Sequence, residues 1–258
     1  MPTQDYHDAY SYPGQSQAGD SDAIDLDKEP WNDLEGGWQK LDQYWHDPRV
    51  QQRPPLREMV RFWQNAWNWK IAQIQSRLPQ IREAAGLANC CICPEWLIAV
   101  WWDERSRMAG DENFQDDLGD ALHLDTSTGP FQMKGKTAAT VISTTPGYRA
   151  WITAMNFDQL QDEMQDDFQT AAYLAADWMC LILAGYKAAG WDPCKPGSLS
   201  AIELVGTLYS RGTGHPNPNP QSIGRGRQIG QWAAAAKRAF NLPACNCDCN
   251  NRARKQRD

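Results

Sequence analysis

Glu104 is the residue whose position in the sequence best fits acid–base chemistry. It comes two residues after Trp96–Trp102, an uninterrupted apolar run in a segment that begins at Pro94. Pro in the first turn favours a helix, and a helix that is apolar on every side is expected to run through the core. Burial and the negative end of the helix dipole both disfavour a carboxylate. We therefore expect the pKa of Glu104 to be raised, so that its carboxylic acid can donate a proton near neutral pH.

The same segment also offers plainer roles for its acids. Arg105 and Arg107 follow Glu104 closely, and an ion pair with either arginine would serve only the helix surface. Glu95 precedes Glu104 by about 13 Å along a helix that rises ~1.5 Å per residue. That separation is too large for the paired carboxylates of a glycosidase. We therefore expect Glu95 to stabilise the positive end of the helix.

Two later segments accompany this helix in a definite order. Gly129-Pro-Phe-Gln-Met133 follows an acid-rich stretch, and Leu208-Tyr-Ser-Arg-Gly212 follows the long helical segments. Together with Glu104 at the tenth position after Pro94, they resemble the lysozyme-like superfamily, specifically the goose-type lysozymes and soluble lytic transglycosylases. That family has a Gly-Leu-Met-Gln strand and an Ala-Tyr-Asn-Ala-Gly element at the corresponding places. The resemblance covers roughly residues 90–240.

The sequence departs from the family pattern at several positions. Ser usually follows the acid directly in the family, whereas here Arg105 precedes Ser106. Ser210 stands in place of the common Asn, and Pro130 replaces an apolar residue of the strand. The loop between the acid and the Gly-x-x-Gln segment is also longer. The resemblance is therefore to the superfamily rather than to one subfamily.

The resemblance implies a mostly α (α+β), lysozyme-like fold with a central buried helix and a small irregular β element. It also implies cleavage of the β-1,4 bond between N-acetylmuramic acid and N-acetylglucosamine in the glycan strands of peptidoglycan. Glu104 would protonate the glycosidic oxygen while the anomeric carbon gains oxocarbenium character. Gln132 and Tyr209 would contact the acetamido group and the sugar near that bond. Without the resemblance, Gln132 is equally well explained as a strand surface residue and Tyr209 as a core phenol.

The fate of the oxocarbenium ion separates two classes of enzyme. A hydrolase uses a second carboxylate to position water or to attack the anomeric carbon. A lytic transglycosylase needs none, because the sugar's own 6-hydroxyl attacks and forms a 1,6-anhydro product. Most acids between Glu104 and Gly129 are expected to form a solvated loop. A residue just before the strand would face the cleft, so Asp125 is the first candidate and Asp120 the second; we favour the hydrolase.

Charge and composition limit the remaining classes of function. The formal net charge of −7 argues against a nucleic-acid partner and against adhesion to anionic surfaces. The 13 Trp residues leave a non-catalytic glycan-binding module as an alternative, and a related chitinase or chitosanase is another. The four His residues lie far apart without a ligand motif, so we expect no metal and no cofactor. Gly224-Arg-Gly226 resembles a dinucleotide-binding loop only superficially, because no strand precedes it.

The elements that must position these residues are mostly helices. We predict helices over residues 54 to about 78, 94–110, 157–189 (one or two), 201–210 and 228–240. Period-two alternation is scarce, so any sheet is small. We divide the chain into a flexible linker or arm (1–29), an N-terminal helical extension packed on the core (30–89), a lysozyme-like catalytic domain (90–243) and a polar Cys-rich tail (244–258).

The cysteines and the amino terminus bear on where the chain works. Eight cysteines at clustered positions suit disulfides and an oxidising destination, with reduced thiols and a metal site as alternatives. The first residues show no ordinary secretion signal, and Trp178–Tyr186, the most apolar stretch, is too short to span a membrane. These features resemble the lysozyme domain of a type VI secretion effector, an antibacterial toxin that acts in the periplasm of target bacteria and is matched by an immunity protein. A phage endolysin is the alternative.

Overall fold

Helices make up most of the described chain. The computed structural model describes residue 34 and residues 36–107, 127–145 and 150–245. Its helices are α1 (Gly37–His46), α2 (Pro48–Gln51), α3 (Pro54–Leu87), α4 (Pro94–Arg107), α5 (Gly135–Thr144), α6 (Ala150–Thr153), α7 (Phe157–Asp166), α8 (Phe168–Ala188), α9 (Ala201–Leu208) and α10 (Gly224–Ala239). Strands β1 (Ser127–Thr128) and β2 (Met133–Lys134) pair antiparallel, with Ser127 opposite Lys134. The predicted mostly α architecture with a small β element is confirmed.

α4 is the buried helix that the apolar run predicted. Every residue from 95 to 104 is buried, and the helix packs against α3, α8 and α10. Full burial of one large aliphatic side chain stabilises a fold by about 1.5–3 kcal/mol. The run therefore holds α4 firmly in the core and fixes the position of the residues at its carboxyl end.

α7 and α8 resolve the segment 157–189 into two helices. Asp167 separates them and caps α8, because its carboxylate accepts hydrogen bonds from the backbone N–H groups of Gln169 and Thr170. Burial raises the pKa of Asp167, but these bonds and the Thr170 hydroxyl outweigh that effect, so its pKa is lowered. The helix then ends as predicted at Gly190, which has a positive φ of 93°.

α8 extends beyond Trp178–Tyr186, the apolar stretch that we judged too short to span a membrane. By length and composition alone the 21-residue helix could cross a bilayer, but 78% of its most apolar window is buried inside the protein. Core helices meet the same criteria, so α8 is weak evidence for a span. In this fold its apolar surface forms the centre of the core.

α3 runs past its predicted end near residue 78. Pro79 lies inside the helix, where it lacks the N–H that would bond the preceding turn. Ile81, Ala84 and Ala85 follow it and are buried in the main core. Their packing sustains the helix through the proline. α5 was not predicted at all, because its β-branched residues do not favour a helix and its packing against α7 and α8 cannot be read from sequence.

The amino-terminal helices form a small second core. Leu41, Val50, Val60 and Trp63 are buried together, between α1, α2 and the first half of α3. The second half of α3 joins the main core. The predicted arm 1–29 lies outside the described residues, as does the tail beyond residue 245. The boundaries at 90 and 243 stay predictions.

Disulfides hold the segment that leads into α4. Cys90 is bonded to Cys180 of α8, and Cys93 is bonded to Cys245 after α10. Among the described residues no cysteine is free, so disulfides are the alternative that the structure contains. The bridges join residues 90 and 152 positions apart, and a disulfide typically stabilises a fold by about 2–4 kcal/mol. Such bonds persist in oxidising compartments.

Candidate active site

Two adjacent carboxylates lie at the carboxyl end of α4. Glu104 is 7% exposed and Asp103 is completely buried. Isolated buried carboxylates are very unfavourable, so such groups are paired or hydrogen-bonded. The sequence predicted the burial of Glu104 but assigned no role to Asp103.

Arg225, in the first turn of α10, binds both carboxylates. Its Nε and Nη2 lie 2.6 Å and 2.5 Å from Oδ2 of Asp103. Nη2 also donates to Oε1 of Glu104 at 2.5 Å, and Nη1 donates to the hydroxyl of Ser210. The guanidinium is therefore fixed by three acceptors from two different parts of the chain. We call Asp103, Glu104 and Arg225 the charge cluster.

Glycines bring Arg225 to this position. A Cβ on Gly226 would lie 2.1 Å from Oγ1 of Thr207, and a Cβ on Gly206 would lie 2.8 Å from Cβ of Ile229. Both distances are far below van der Waals contact, so only glycine allows α9 and α10 to approach this closely. That approach sets the first turn of α10 beside the end of α4.

The charges of the cluster stabilise one another. Burial lowers the pKa of Arg225, but the negative charges of Glu104 and Asp103 outweigh it, so the pKa of Arg225 is raised above its ordinary value. A guanidinium favours the ionised form of a carboxylate that it contacts, so the contact of Arg225 with Glu104 opposes the burial from which we expected a raised pKa for Glu104. We did not predict this opposing contact from the sequence.

Tyr209 lies beside the charge cluster, at the end of α9. Its carbonyl accepts a hydrogen bond from Nε1 of Trp178 at 3.1 Å, which anchors the residue to α8. Its hydroxyl is buried and has no hydrogen-bond partner among the described residues. Burial and the charge of Glu104 raise the pKa of Tyr209 well above 10, against a smaller opposing effect of Arg225. The phenol is therefore neutral at physiological pH.

Gln132 lies in the turn of the hairpin and not in a strand. Residues 129–132 join β1 to β2, so the strand that we predicted from the Gly-x-x-Gln pattern is wrong in this detail. Gly129 and Gln132 both have positive φ, 71° and 46°, a conformation that a turn tolerates and a strand does not. The Gln132 side chain donates from Nε2 to the carbonyl of Gly129 at 3.0 Å.

The hairpin is packed onto α4 through an aromatic cluster. The ring centroids of Phe131 and Trp101 are 6.3 Å apart, and Phe168 of α8 lies 5.6 Å from Phe131 and 4.7 Å from Trp101. Because Trp101 comes one turn before Glu104, this packing fixes the hairpin that carries Gln132 against the same helix as the charge cluster.

The other acids considered in the sequence fall elsewhere. Asp125 and Asp120 lie outside the described residues, so their candidacy as second carboxylate stays a prediction. Glu95 lies at the opposite end of α4, where one of its oxygens is 3.6 Å from Nζ of Lys237. The described residues contain no group of His, Cys, Asp or Glu able to hold a metal ion.

One signal in the sequence could have pointed to Arg225. Two consecutive acids at the end of a fully apolar helix require a cation or a hydrogen-bond donor. An arginine between two glycines is suited to approach a buried site, because glycine neighbours remove the side chains that would obstruct it. We considered Gly224-Arg-Gly226 only as a dinucleotide-binding loop.

Comparison with known proteins adds no assignment: no protein-family model, curated protein or solved structure matches this chain. A mostly buried carboxyl group, an arginine held on a second acid and a neutral tyrosine hydroxyl form a site suited to proton transfer in a low-dielectric surrounding.

Proposed function

We propose that this chain is a peptidoglycan muramidase with a lysozyme-like fold, in which Glu104 is the general acid. The supporting observation is the buried carboxyl of Glu104 at the end of the core helix, next to the neutral phenol of Tyr209 and within the charge cluster. The protonated carboxyl donates its proton to the glycosidic oxygen. The bond from that oxygen to the anomeric carbon then breaks, leaving an oxocarbenium-like sugar.

Tyr209 and Gln132 are proposed to bind the sugar. The Tyr209 hydroxyl is a buried polar group without a described partner, and such a group gains a hydrogen bond when a ligand reaches it. The Gln132 amide is partly exposed and bonded only locally in the turn, so it is able to turn toward an acetamido group.

The oxocarbenium-like sugar can react in two ways, and we give both as alternative proposals. In a hydrolase, water attacks the anomeric carbon with help from a second carboxylate, for which Asp125 and Asp120 are the candidates. In a lytic transglycosylase, the 6-hydroxyl attacks and no second acid is needed. Asp103 does not serve as this second acid, because it is fully buried and bound to Arg225.

The test is cleavage of purified peptidoglycan by the wild-type chain and by Glu104→Gln. The amide keeps the size of the side chain but has no acidic proton, so we expect activity to fall by about 10²-fold or more. Glu95→Gln makes the same exchange in the same helix, outside the proposed site, and should keep most of the activity. Equal activity of Glu104→Gln and the wild type would refute the assignment.

The products separate the two enzyme classes. Mass spectrometry of the released muropeptides should show reducing ends for hydrolysis, and 1,6-anhydro ends for transglycosylation. Chitin and chitosan assayed in parallel identify the related chitinase and chitosanase activities.

A non-catalytic glycan-binding surface is the second candidate, and exposed aromatic side chains support it. Phe62 is 65% exposed and Trp69 is 49% exposed, seven residues apart on α3 and therefore on one face of that helix. Apolar rings on a surface suit the faces of sugars. Binding to insoluble peptidoglycan that is lost in Trp69→Ala, with no cleavage by the wild type, would favour this candidate.

We also propose that the chain is an antibacterial effector that acts in the periplasm of target bacteria, with an immunity protein as partner. The disulfides support this location, since they form in oxidising compartments. Lysis of a test bacterium when the chain is exported to its periplasm, and not when it is kept in the cytoplasm, is the expected result.

A further inference from the structure

The segment that follows α9 differs in charge from the rest of the chain. The whole sequence has 32 acidic residues against 25 basic ones, but residues 204–247 contain no Asp or Glu. The same segment contains five Lys and Arg residues. It also supplies Ser210 and Arg225, which are hydrogen-bonded to each other at the candidate active site. That site is therefore partly built from a basic segment of an acidic protein.

Arg211 is a cation of this segment that lies next to the charge cluster. It directly follows Ser210, whose hydroxyl accepts a hydrogen bond from Arg225, and neighbouring Cα atoms are ~3.8 Å apart. The backbone N–H of Arg211 donates to the carbonyl of Leu208 at 3.0 Å, which closes a turn at the end of α9. The Arg211 side chain is exposed. We call residues 210–213 the basic turn.

The donors of the basic turn have no acceptor within the part of the chain that the structure describes. No ion pair or hydrogen bond engages the guanidinium of Arg211 there. The backbone N–H groups of Gly212 and Thr213 donate to no acceptor among the same residues. A guanidinium together with consecutive backbone N–H groups is a donor set with which proteins bind carboxylates. The basic turn is therefore suited to an anionic group of a ligand.

A carboxylate is what distinguishes the glycan strands of peptidoglycan from other β-1,4-linked aminosugar polymers. N-acetylmuramic acid carries a lactyl ether that ends in a carboxylate, or in a peptide that carries carboxylates. Chitin has no charge, and chitosan carries protonated amines. The lactyl group is attached to the 3-oxygen of the sugar, so its acid is expected beside the groups that act on the glycosidic bond. Arg211 has this relation to Glu104, since Ser210 and Arg225 connect the two.

We propose that the basic turn binds a carboxylate of the glycan and thereby selects acid-bearing strands over neutral chitin and cationic chitosan. Arg211 contributes the charge, and the N–H groups of Gly212 and Thr213 contribute further hydrogen bonds. The inference deepens the function proposed above and rests on it for the identity of the ligand. Arg211 determines specificity and takes no part in proton transfer, so its effect falls on KM and not on kcat.

Binding of a matched pair of tetrasaccharides, measured by calorimetry, tests the proposal. One tetrasaccharide alternates N-acetylglucosamine and N-acetylmuramic acid, and the other is the same molecule with its carboxyl groups converted to methyl esters. The protein carries Glu104→Gln, so that the ligand stays intact. At low ionic strength we expect the acid to bind about tenfold more tightly than the ester, and added salt should reduce the difference. Equal affinities, or no binding of either ligand, overturn the proposal.

Substitutions of Arg211 assign the preference to the basic turn. Arg211→Ala should remove most of it, and Arg211→Lys should keep a part, because an ammonium keeps the charge but not the planar set of donors. Arg82→Ala removes another exposed cation and should leave the preference unchanged. Arg82 lies about 18 Å further along α3 than Lys70, at ~1.5 Å per residue, and Lys70 lies over the ring of Trp102. A preference that survives Arg211→Ala overturns the assignment.

Cleavage of soluble glycan strands by otherwise wild-type chains separates this proposal from the proposed function. In a muramidase, Arg211→Ala should raise KM about tenfold and leave kcat within about twofold. Binding of the acid through Arg211, without any cleavage by the wild type, would retain the basic turn and refute the muramidase. Cleavage with an unchanged KM in Arg211→Ala would retain the muramidase and refute the basic turn. Oligonucleotide binding that is lost in Arg211→Ala, with no preference between the tetrasaccharides, would also refute it.

Discussion

Two charged contacts between α4 and α10 differ in their surroundings, although in each a cation of α10 faces an acid of α4. At the carboxyl end of α4, Arg225 is 15% exposed and lies 2.5 Å from Asp103 and from Glu104. At the amino end, Lys237 is 33% exposed and lies 3.6 Å from Glu95. The first contact is buried, forked and short, and the second is longer and closer to solvent. The same two helices thus carry one contact suited to chemistry and one suited to holding the fold.

The helix dipole adds to the difference between the contacts at the two ends of α4. Glu95 lies in the first turn of α4, where the positive end of the dipole stabilises a carboxylate. Glu104 and Asp103 lie near the other end, where the dipole disfavours negative charge. The positive charge of Arg225, 2.5 Å from both acids, offsets this unfavourable effect of the dipole.

Removing the cation of each contact in turn should give the largest difference in stability between the two ends of α4. We expect Arg225→Met to lower the free energy of unfolding by about 3–5 kcal/mol, because it removes the positive partner of a buried ion pair. Lys237→Met should cost about 1 kcal/mol or less, since its contact is longer and more exposed. Urea denaturation of both variants at pH 7 measures the two values. Similar losses at both ends would refute the contrast.

Disrupting the close approach of α9 and α10 should have the next largest effect on stability. Gly226→Ala places a Cβ 2.1 Å from Oγ1 of Thr207 and 2.5 Å from the carbonyl oxygen of Glu203, so the helices must separate. We expect a loss of about 2–3 kcal/mol in the free energy of unfolding and a drop in cleavage as Arg225 moves. Gly224→Ala, where nothing lies within 4 Å, is the matched control and should be nearly neutral. Equal thermal midpoints of the two variants would contradict this account.

Substitution of Tyr209 should have the smallest effect on stability at neutral pH and a clear effect at alkaline pH. Its raised pKa means that the unfolded chain ionises at a lower pH than the folded chain does. Its contribution to stability is therefore complete below pH ~10 and is lost as the pH rises further. Tyr209→Phe should change the free energy of unfolding by less than about 1 kcal/mol at pH 7. Above pH 10 the free energy of unfolding of this variant should fall less steeply than that of the wild type. Parallel curves for the variant and the wild type would exclude Tyr209 as the buried titrating group.

Local patterns in the sequence predicted much of the helical framework. The apolar run before Glu104 predicted a helix with no exposed face, and Pro94 marked its beginning. Gly190 marked the end of the helical segment 157–189, and it follows the last helical turn because it adopts a positive φ. These are properties of single residues and their near neighbours, so they can be predicted from the sequence without knowledge of the fold.

The partners of the buried acids were decided by tertiary structure. Arg225 lies 121 residues from Glu104, and only the glycine contacts between α9 and α10 bring it there. The persistence of α3 beyond Pro79, the helix α5 and the pairing of Cys93 with Cys245 also depend on packing between distant segments. A sequence records which side chains need burial or charge compensation, whereas the contact that satisfies each need is a property of the assembled core.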